Sequence, residues 1–282
     1  MIKVLSPGIY SSIQDGGRKG FGQVGVPSAG VMDSYAANLG NLLLNNDPEA
    51  ALIEITFGAS RFEFLSDQVI CITGANFSPQ IDGHLVTMNQ VLQVPKGAIL
   101  SFGKRQFGVR TYLAIREGFD SPTILKSRSF FKGISPETTL KKGDILLAIQ
   151  SKTKWKSRIS ALKISIDYFY AQQVVCSKGP EFDLLSGAQQ AQLLNTSFLI
   201  SKENNRMGYR LETEITNAIN PILTSGVLPG TVQLTPSGKL IILMRDCQVT
   251  GGYPRVLQVS EAGLNILAQK STFDCIQFHL NS

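Results

Sequence analysis

The residues best equipped for chemistry in this 282-residue chain sit in three loops that combine glycine with polar side chains. The first runs Ile13-Gln14-Asp15-Gly16-Gly17-Arg18-Lys19-Gly20-Phe21-Gly22 and continues in Gly25-Val26-Pro27-Ser28-Ala29-Gly30-Val31-Met32-Asp33. Repeated glycine lets backbone amides approach a ligand closely, and a helix starting at Asp33 would aim its N-terminal amides at the same region. The same glycines also suit barrel corners. In the second loop, Asn204 to Leu211, Arg206 and Arg210 flank Gly208 and Tyr209. A guanidinium donates in a planar fork, and an i, i+4 pair on a strand shares one face, so the two are suited to clamp one carboxylate or phosphate. Surface ion pairing is the alternative. The third loop, Arg245-Asp246-Cys247-Gln248-Val249-Thr250-Gly251-Gly252-Tyr253-Pro254-Arg255, follows the apolar run Leu240 to Met244. A buried strand that delivers Arg, Asp, Gln and Tyr into a Gly-Gly loop can present a polar site at a barrel mouth, or simply a structural turn. Asp246 is the candidate general base, provided burial raises its pKa or the reaction needs little base strength.

Other chemistries lack their residues. His84 and His279 are the only histidines, neither in an HxxH or HExxH pattern, so no metal site is expected and catalysis has to rest on Arg, Asp, Gln and Tyr. No GxSxG elbow is present, and the nearest approach to a phosphate-binding P-loop, Gly103 to Gly108, is followed by Val109 and Arg110. Methionines 1, 32, 88, 207 and 244 precede Ile, Asp, Asn, Gly and Arg, so no Met-Lys site for covalent biotin exists on this chain. The net charge of +6 is local: Lys126 to Lys163 holds ten basic residues against two acids, leaving 17 basic and 19 acidic residues elsewhere. No basic face spreads across the fold, which argues against a nucleic-acid partner; a solvated linker, a strand edge or contact with an anionic partner fits the basic stretch. The longest apolar runs, Leu240 to Met244 and Ile145 to Ile149, are too short to span a bilayer. Met1 to Ile13 lacks an apolar leader core, and Cys71, Cys176, Cys247 and Cys275 form no CxxC, so a soluble cytoplasmic protein with reduced, mostly buried thiols is expected.

Short, often β-branched runs bounded by Gly, Pro, Asn, Asp or Ser dominate the chain, from Leu52 to Phe57 through Cys275 to Leu280. This is the pattern of an all-β barrel or sandwich, with Asp82-Gly83 and Pro236-Ser237-Gly238 marking turns. Helical periodicity breaks in at Asp33 to Asn45, with Asp33 able to cap, at Ser186 to Asn195, and at Glu261 to Lys270 behind Ser260. Two strand-rich domains are expected, 1–150 and 174–282, joined by a basic connector over 151–173 that contains the sole tryptophan, Trp155, with the N-terminal segment free to pack on the second domain.

Ser12 to Arg18, Gly25 to Asp33, Ser127-Arg128-Ser129, Gly179-Pro180 with Asp183, Asn204 to Leu211, Ser225 to Gln233 and Asp246 to Pro254 together resemble, in order, the biotin-dependent carboxyltransferase domain family, also called allophanate hydrolase subunit 2. The family includes one of the subunits of bacterial 5-oxoprolinase, which the chain resembles most, and the C-terminal half of the urea carboxylase carboxyltransferase domain. The resemblance implies a mainly β fold of two cyclophilin-like β-barrel domains with a few short helices, a homologous partner subunit equivalent to the other half of the carboxyltransferase domain, and a large lactam-hydrolase subunit. It also implies ATP-dependent opening of the lactam 5-oxoproline to glutamate by the complex, with this chain inactive alone and the ATP-binding chain unassigned. On that reading Arg206 or Arg210 takes the substrate carboxylate, Gln233, Gln248 and Tyr253 orient the amide, Asp246 assists proton transfer, and Gln14, Asp15, Arg18, Ser28 and Asp33 line the binding region. Two alternatives stay open: a regulator that binds a homologous kinase-inhibitor protein, and a carboxyltransferase half acting on urea or a related amide with biotin supplied in trans. The chain departs from the family pattern at Arg116-Glu117, in place of a Gly-Gly pair, at Lys126 in place of Gly, and at Ser225 in place of Glu.

Overall fold

The computed structural model describes residues 1–150, 164–217 and 219–281. Much of the expected connector, 151–163 with Trp155, lies outside the described residues. The chain divides into two compact units, Met1–Gly17 with Asp33–Tyr170, and Arg18–Met32 with Ala171–Ser282. The glycine-rich segment 18–32 therefore belongs to the second unit, not to a continuous domain 1–150.

The first unit is two sheets around one core. One orders its strands Ile145–Leu146, Ile2–Pro7, Ser60–Phe64, Ile99–Phe102, Pro79–Ile81 and His84–Leu85; the other orders Tyr10–Gln14, Leu52–Thr56, Phe107–Ile115, Gln68–Asn76 and Val91–Val94. Because side chains alternate along a strand, Ile13, Ile53, Ile55, Leu113, Ile115, Ile70 and Ile72 share the core with Ile2, Val4, Phe62, Phe64 and Leu100 of the facing sheet. Each fully buried Ile, Leu or Phe is worth about 1.5–3 kcal/mol relative to exposure.

The opposite face of the second sheet carries a polar row set by register, Ser12 opposite Glu54, Glu54 opposite Tyr112, and Tyr112 opposite Thr73. Helix α1, Ser34–Leu43, covers this row: Thr73 Oγ1 donates to the Ala36 carbonyl at 2.7 Å, and a Cβ on Gly40 would stand 3.2 Å from both Thr73 Oγ1 and Ala114 Cβ. Glu54 is fully buried and accepts the Tyr112 hydroxyl at 2.9 Å; the same Tyr112 oxygen accepts the Asp33 backbone N–H at 2.8 Å. Burial, reinforced by the Glu54 charge, pushes the Tyr112 pKa well up, so the phenol stays a donor. A one-turn helix, α2 (Asp167–Tyr170), was not expected, since four residues are too few to show a helical period. It is held where Tyr168 donates to Asp33 Oδ2 at 2.8 Å and Phe169 packs against Phe107 with ring centroids 4.7 Å apart and planes tilted by 52°.

The second unit is a closed seven-stranded barrel in the order Gln173–Lys178, Arg255–Val259, Thr231–Leu234, Lys239–Leu243, Gly208–Glu214, Phe198–Asn204, Cys275–Leu280. Gln173–Lys178 and Cys275–Leu280 close the ring as a parallel pair, Val174 opposite Phe278. Helix α3, Gly187–Asn195, has a full capping box between Ser186 and Gln189, and α4, Glu261–Ala268, is capped by Ser260. The fold is mainly β, as expected. The ring closure belongs to the second unit, while the first encloses its core between two sheets.

Two of the family departures sit at glycine-type backbone positions. Within the Arg116-Glu117 departure, Glu117 takes φ of +64°, ahead of Gly118 at +90°, a conformation that glycine adopts freely. In the hairpin Ile124 to Ser127, closed by Ile124 N–H to Ser127 O at 2.8 Å, the central residues Leu125 and Lys126 both have positive φ, +51° and +61°, as a type I′ turn demands. A left-handed non-glycine residue costs about 1–2 kcal/mol, partly offset by the extra unfolded-state freedom of glycine. Lys126→Gly should therefore raise stability by about 0.5–1 kcal/mol, read as a rightward shift of the urea unfolding curve with unchanged slope.

Candidate functional site

In the second unit, Phe198–Asn204 and Gly208–Glu214 are joined through Asn205-Arg206-Met207. Asn205 shapes that turn: its Oδ1 accepts the Met207 N–H at 2.7 Å and the Gly208 N–H at 3.3 Å. Arg206 is thus a turn residue, its side chain directed inward and 8% exposed. Backbone pairing continues past the strand Lys239–Leu243, with Met244 N–H to Met207 O at 2.9 Å and Asp246 N–H to Arg206 O at 2.8 Å, which sets Asp246 beside Arg206. Arg206 Nε donates to Asp246 Oδ2 and Nη2 to Oδ1, both at 2.8 Å, a bidentate pair with Asp246 9% exposed.

Two expectations are corrected here. Arg206 and Arg210 do not share one strand face: Arg206 turns in to Asp246, whereas Arg210 points outward and meets Glu203 at 3.3 Å. Asp246 is not placed as a general base, because both of its oxygens accept from the Arg206 fork.

The pair also reaches the segment 18–32. Arg206 Nη2 donates to the Gly30 carbonyl at 2.6 Å, and Arg245 donates to the Met32 carbonyl at 3.3 Å while gripping Glu261 at 2.5 and 3.1 Å. Arg18 N–H donates to the Ser28 carbonyl at 2.6 Å, which folds the segment back on itself. Arg18 is buried and Ser28 half-buried. The loop is therefore held by its carbonyls.

On another part of the barrel, Arg255 and Glu181 form a second bidentate pair, Nε to Oε2 at 3.0 Å and Nη2 to Oε1 at 2.8 Å, with the Arg255 N–H also on Oε2 at 2.8 Å. Arg255 Nη1 reaches the Gly226 carbonyl at 3.1 Å. Gly226 belongs to a two-stranded ribbon, Ser225–Gly226 against Thr250–Gly251. Gln248 and Tyr253 flank the second strand of this ribbon and are exposed, while Gln233 is buried next to Gly251. Glu181 escaped the sequence reading; its only signal was its position directly after Gly179-Pro180.

The first unit holds the remaining candidates, each engaged by its own fold. Gln14 donates to Ser12 Oγ at 2.9 Å and to the Phe130 carbonyl at 3.3 Å. Asp15 accepts Ser127 Oγ and Ser129 Oγ at 2.6 Å each, Arg128 N–H at 2.5 Å and Gly17 N–H at 2.8 Å. Asp33 caps α1 by accepting the Ala36 N–H at 3.0 Å. The buried Glu54 and Tyr112 were also missed, although an acid inside the apolar run Leu52-Ile53-Glu54-Ile55 was a visible signal. A cavity of about 640 Å³ in this unit, between Asp67, Gln93, Arg116 and Gln150, contains none of the expected residues. Among the described residues no group of three or more His, Cys, Asp or Glu side chains could hold a metal ion, and no helix is long and apolar enough to cross a membrane. The four cysteines are free thiols; burial and the neighbouring Asp246 push Cys247 up to about 12, which keeps it protonated and unreactive.

Residues 24–280 match the carboxyltransferase domain family, subdomains A and B. A protein of Escherichia coli (strain K12) named as a 5-oxoprolinase subunit is 35% identical over 275 residues, covering 95% of this chain and 87% of that protein. Its namesake in Haemophilus influenzae is 31% identical over 286 residues, covering 99% and 90%. The solved K. lactis urea amidolyase superposes with a TM-score of 0.89 at 28% identity over all of this chain, which spans 19% of that much longer one.

Removing Asp246 would strand a buried guanidinium, so Asp246→Ala should cost about 3–5 kcal/mol in urea unfolding, and Arg206→Met with Asp246→Leu should recover most of it. Arg255, donating to Glu181, holds that carboxyl below its usual 4.5. A depressed folded-state value stabilises above the unfolded one, and this contribution fades as pH drops below about 4.5 through the folded value. Glu181→Gln should therefore flatten the loss of thermal stability between pH 6 and roughly pH 3, followed by circular dichroism.

Proposed function

Since the chain belongs to the carboxyltransferase domain family, subdomains A and B, we propose that it is a subunit of a cytoplasmic ATP-dependent 5-oxoprolinase, the complex that opens the lactam of 5-oxoproline to L-glutamate. The observation that carries this reading is the 35% identity to a protein named as a 5-oxoprolinase subunit, along 95% of this chain and 87% of its relative. The name implies further subunits, and we assign two: a homologue equivalent to the other half of the carboxyltransferase domain, and a large lactam-hydrolase subunit. ATP is spent by the assembled complex and is assigned to no residue of this chain.

The side chains divide by what they are free to do. A lactam substrate presents one carboxylate and one amide. Arg210 is the guanidinium positioned to exchange partners, because a solvent-exposed pair such as Arg210 with Glu203 contributes little and yields readily to a substrate carboxylate. Gln248 and Tyr253, exposed beside the ribbon, orient the amide. Arg206 and Asp246 are positioning residues: Arg206 holds the Gly30 carbonyl, and through it the loop bearing Ser28, Asp246 holds Arg206, and neither is asked to move a proton.

The test is reconstitution with the two partner subunits. The chain alone should hydrolyse no ATP, the complex should hydrolyse ATP only when 5-oxoproline is present, and glutamate should be released. Arg210→Ala should raise the KM for 5-oxoproline by roughly tenfold or more, the loss of one charge-assisted contact. Full lactam-dependent activity without this chain would end the proposal, as would a complex that instead carboxylates urea.

A further inference from the structure

Gln233 lies in Thr231–Leu234 with Ile241 and Arg255 as its cross-strand partners, where a β-bulge shifts the register between Val232 and Gln233. Bulges re-aim side chains and are frequent next to active sites. Gln233 is 2% exposed, and its Nε2 is buried without a hydrogen-bond partner among the described residues. Buried amide donors are nearly always paired, and one left over is retained against stability.

What covers this donor is slight. A Cβ on Gly251 would stand 2.5 Å from Gln233 Nε2, so the amide packs directly against the glycine. Gly251 belongs to the ribbon, which has only two residue pairs, Ser225 with Gly251 and Gly226 with Thr250. Around it, among the described residues, run the Val227 N–H to Val249 O bond at 3.0 Å, the Ile222 N–H to Gly252 O bond at 2.9 Å and the Arg255 to Gly226 bond at 3.1 Å, while its apolar anchorage is the small cluster of Val227, Leu243 and Cys247. So few bonds place the ribbon among the elements that open most readily. Ser225, one of the departures from the family pattern, is the residue paired with Gly251.

We propose that the ribbon is a cover over a carbonyl-binding position, in which Gln233 Nε2 donates to the oxygen of a small planar amide once the ribbon lifts. Gln248 and Tyr253 stand on either side of the cover's second strand and meet the same ligand at its edge. Resting on the function proposed above, the ligand is the ring carbonyl of 5-oxoproline; urea offers the same acceptor. The absence of a side chain at Gly251 is what lets the ribbon close directly over the amide when no ligand is bound.

The experiment pairs a stability readout with a binding readout. Gln233→Leu removes an unpaired donor and keeps the bulk, so the free chain should unfold at a temperature equal to or about 2–4 °C above wild type, while the reconstituted complex should show a KM for 5-oxoproline raised roughly tenfold with kcat changed far less. Gly251→Ala, at a backbone position alanine tolerates, should give the same KM defect by crowding the amide. A lowered unfolding temperature for Gln233→Leu would mean the amide is paired in solution and would overturn the proposal; so would a KM within twofold of wild type for both variants. Thermal stabilisation of the full chain by 5-oxoproline and by urea separates the two readings. A response to urea alone that Gln233→Leu abolishes keeps the carbonyl site and discards the lactam, whereas no response to either compound together with no effect on KM discards the site.

Discussion

A guanidinium withdrawn from water needs acceptors for its donors, and in the second unit Arg206 meets that requirement with Asp246 and the Gly30 carbonyl. The requirement is strict because a buried ion without its partner costs several kcal/mol. It links three parts of the chain that no local rule connects: the turn after Phe198–Asn204, the loop after Lys239–Leu243, and the glycine-rich segment 18–32. Arg245 repeats the arrangement with Met32 and Glu261. The segment contributes no strand to the barrel, so carbonyl capture by arginine takes the place of a sheet ladder in satisfying its backbone.

The same logic separates residues that hold the fold from residues that face outward. Asp15, Asp33, Glu54 and Asp246 are acids whose oxygens accept from hydroxyls, backbone amides or a guanidinium within the fold. Charge that is fully spoken for fixes geometry and does little else. Arg210, Gln248 and Tyr253 remain exposed, and Gln233 is buried with a donor to spare. Polar groups of both kinds stand side by side in the glycine-rich motifs, which is why a motif alone does not assign a role.

What was legible in the sequence followed the range of the interaction. Asp33 and Ser260 were readable as helix caps because a cap is decided within three residues, and the strand runs were readable because short β-branched runs bounded by Gly, Pro, Asn, Asp or Ser are local signals. The inward turn of Arg206 was hidden, since it depends on Asn205 shaping the turn, and the capture of Asp246 depends on Met244 pairing with Met207 at the end of two neighbouring strands distant in sequence. That the N-terminal segment could pack on the second domain was readable, but the bounds 18–32 were not, since the segment is held by arginines far along the chain. The departures at Glu117 and Lys126 became intelligible only with their φ values: the residue changed while the left-handed turn stayed.

The barrel's closing pair also bears on the order in which the protein assembles. The Cys176 thiol donates to the carbonyl of His279, 103 positions later, so the ring has no closed form until its final strand is in place. Contacts this distant along the chain are slow to form. The glycine-rich segment leaves the ribosome before any strand of the second unit, yet the arginines that seat it, Arg206 and Arg245, are made much later. The first part of the second unit to be synthesised must therefore wait, unseated, while the rest of the first unit, Asp33–Tyr170, and most of the barrel emerge.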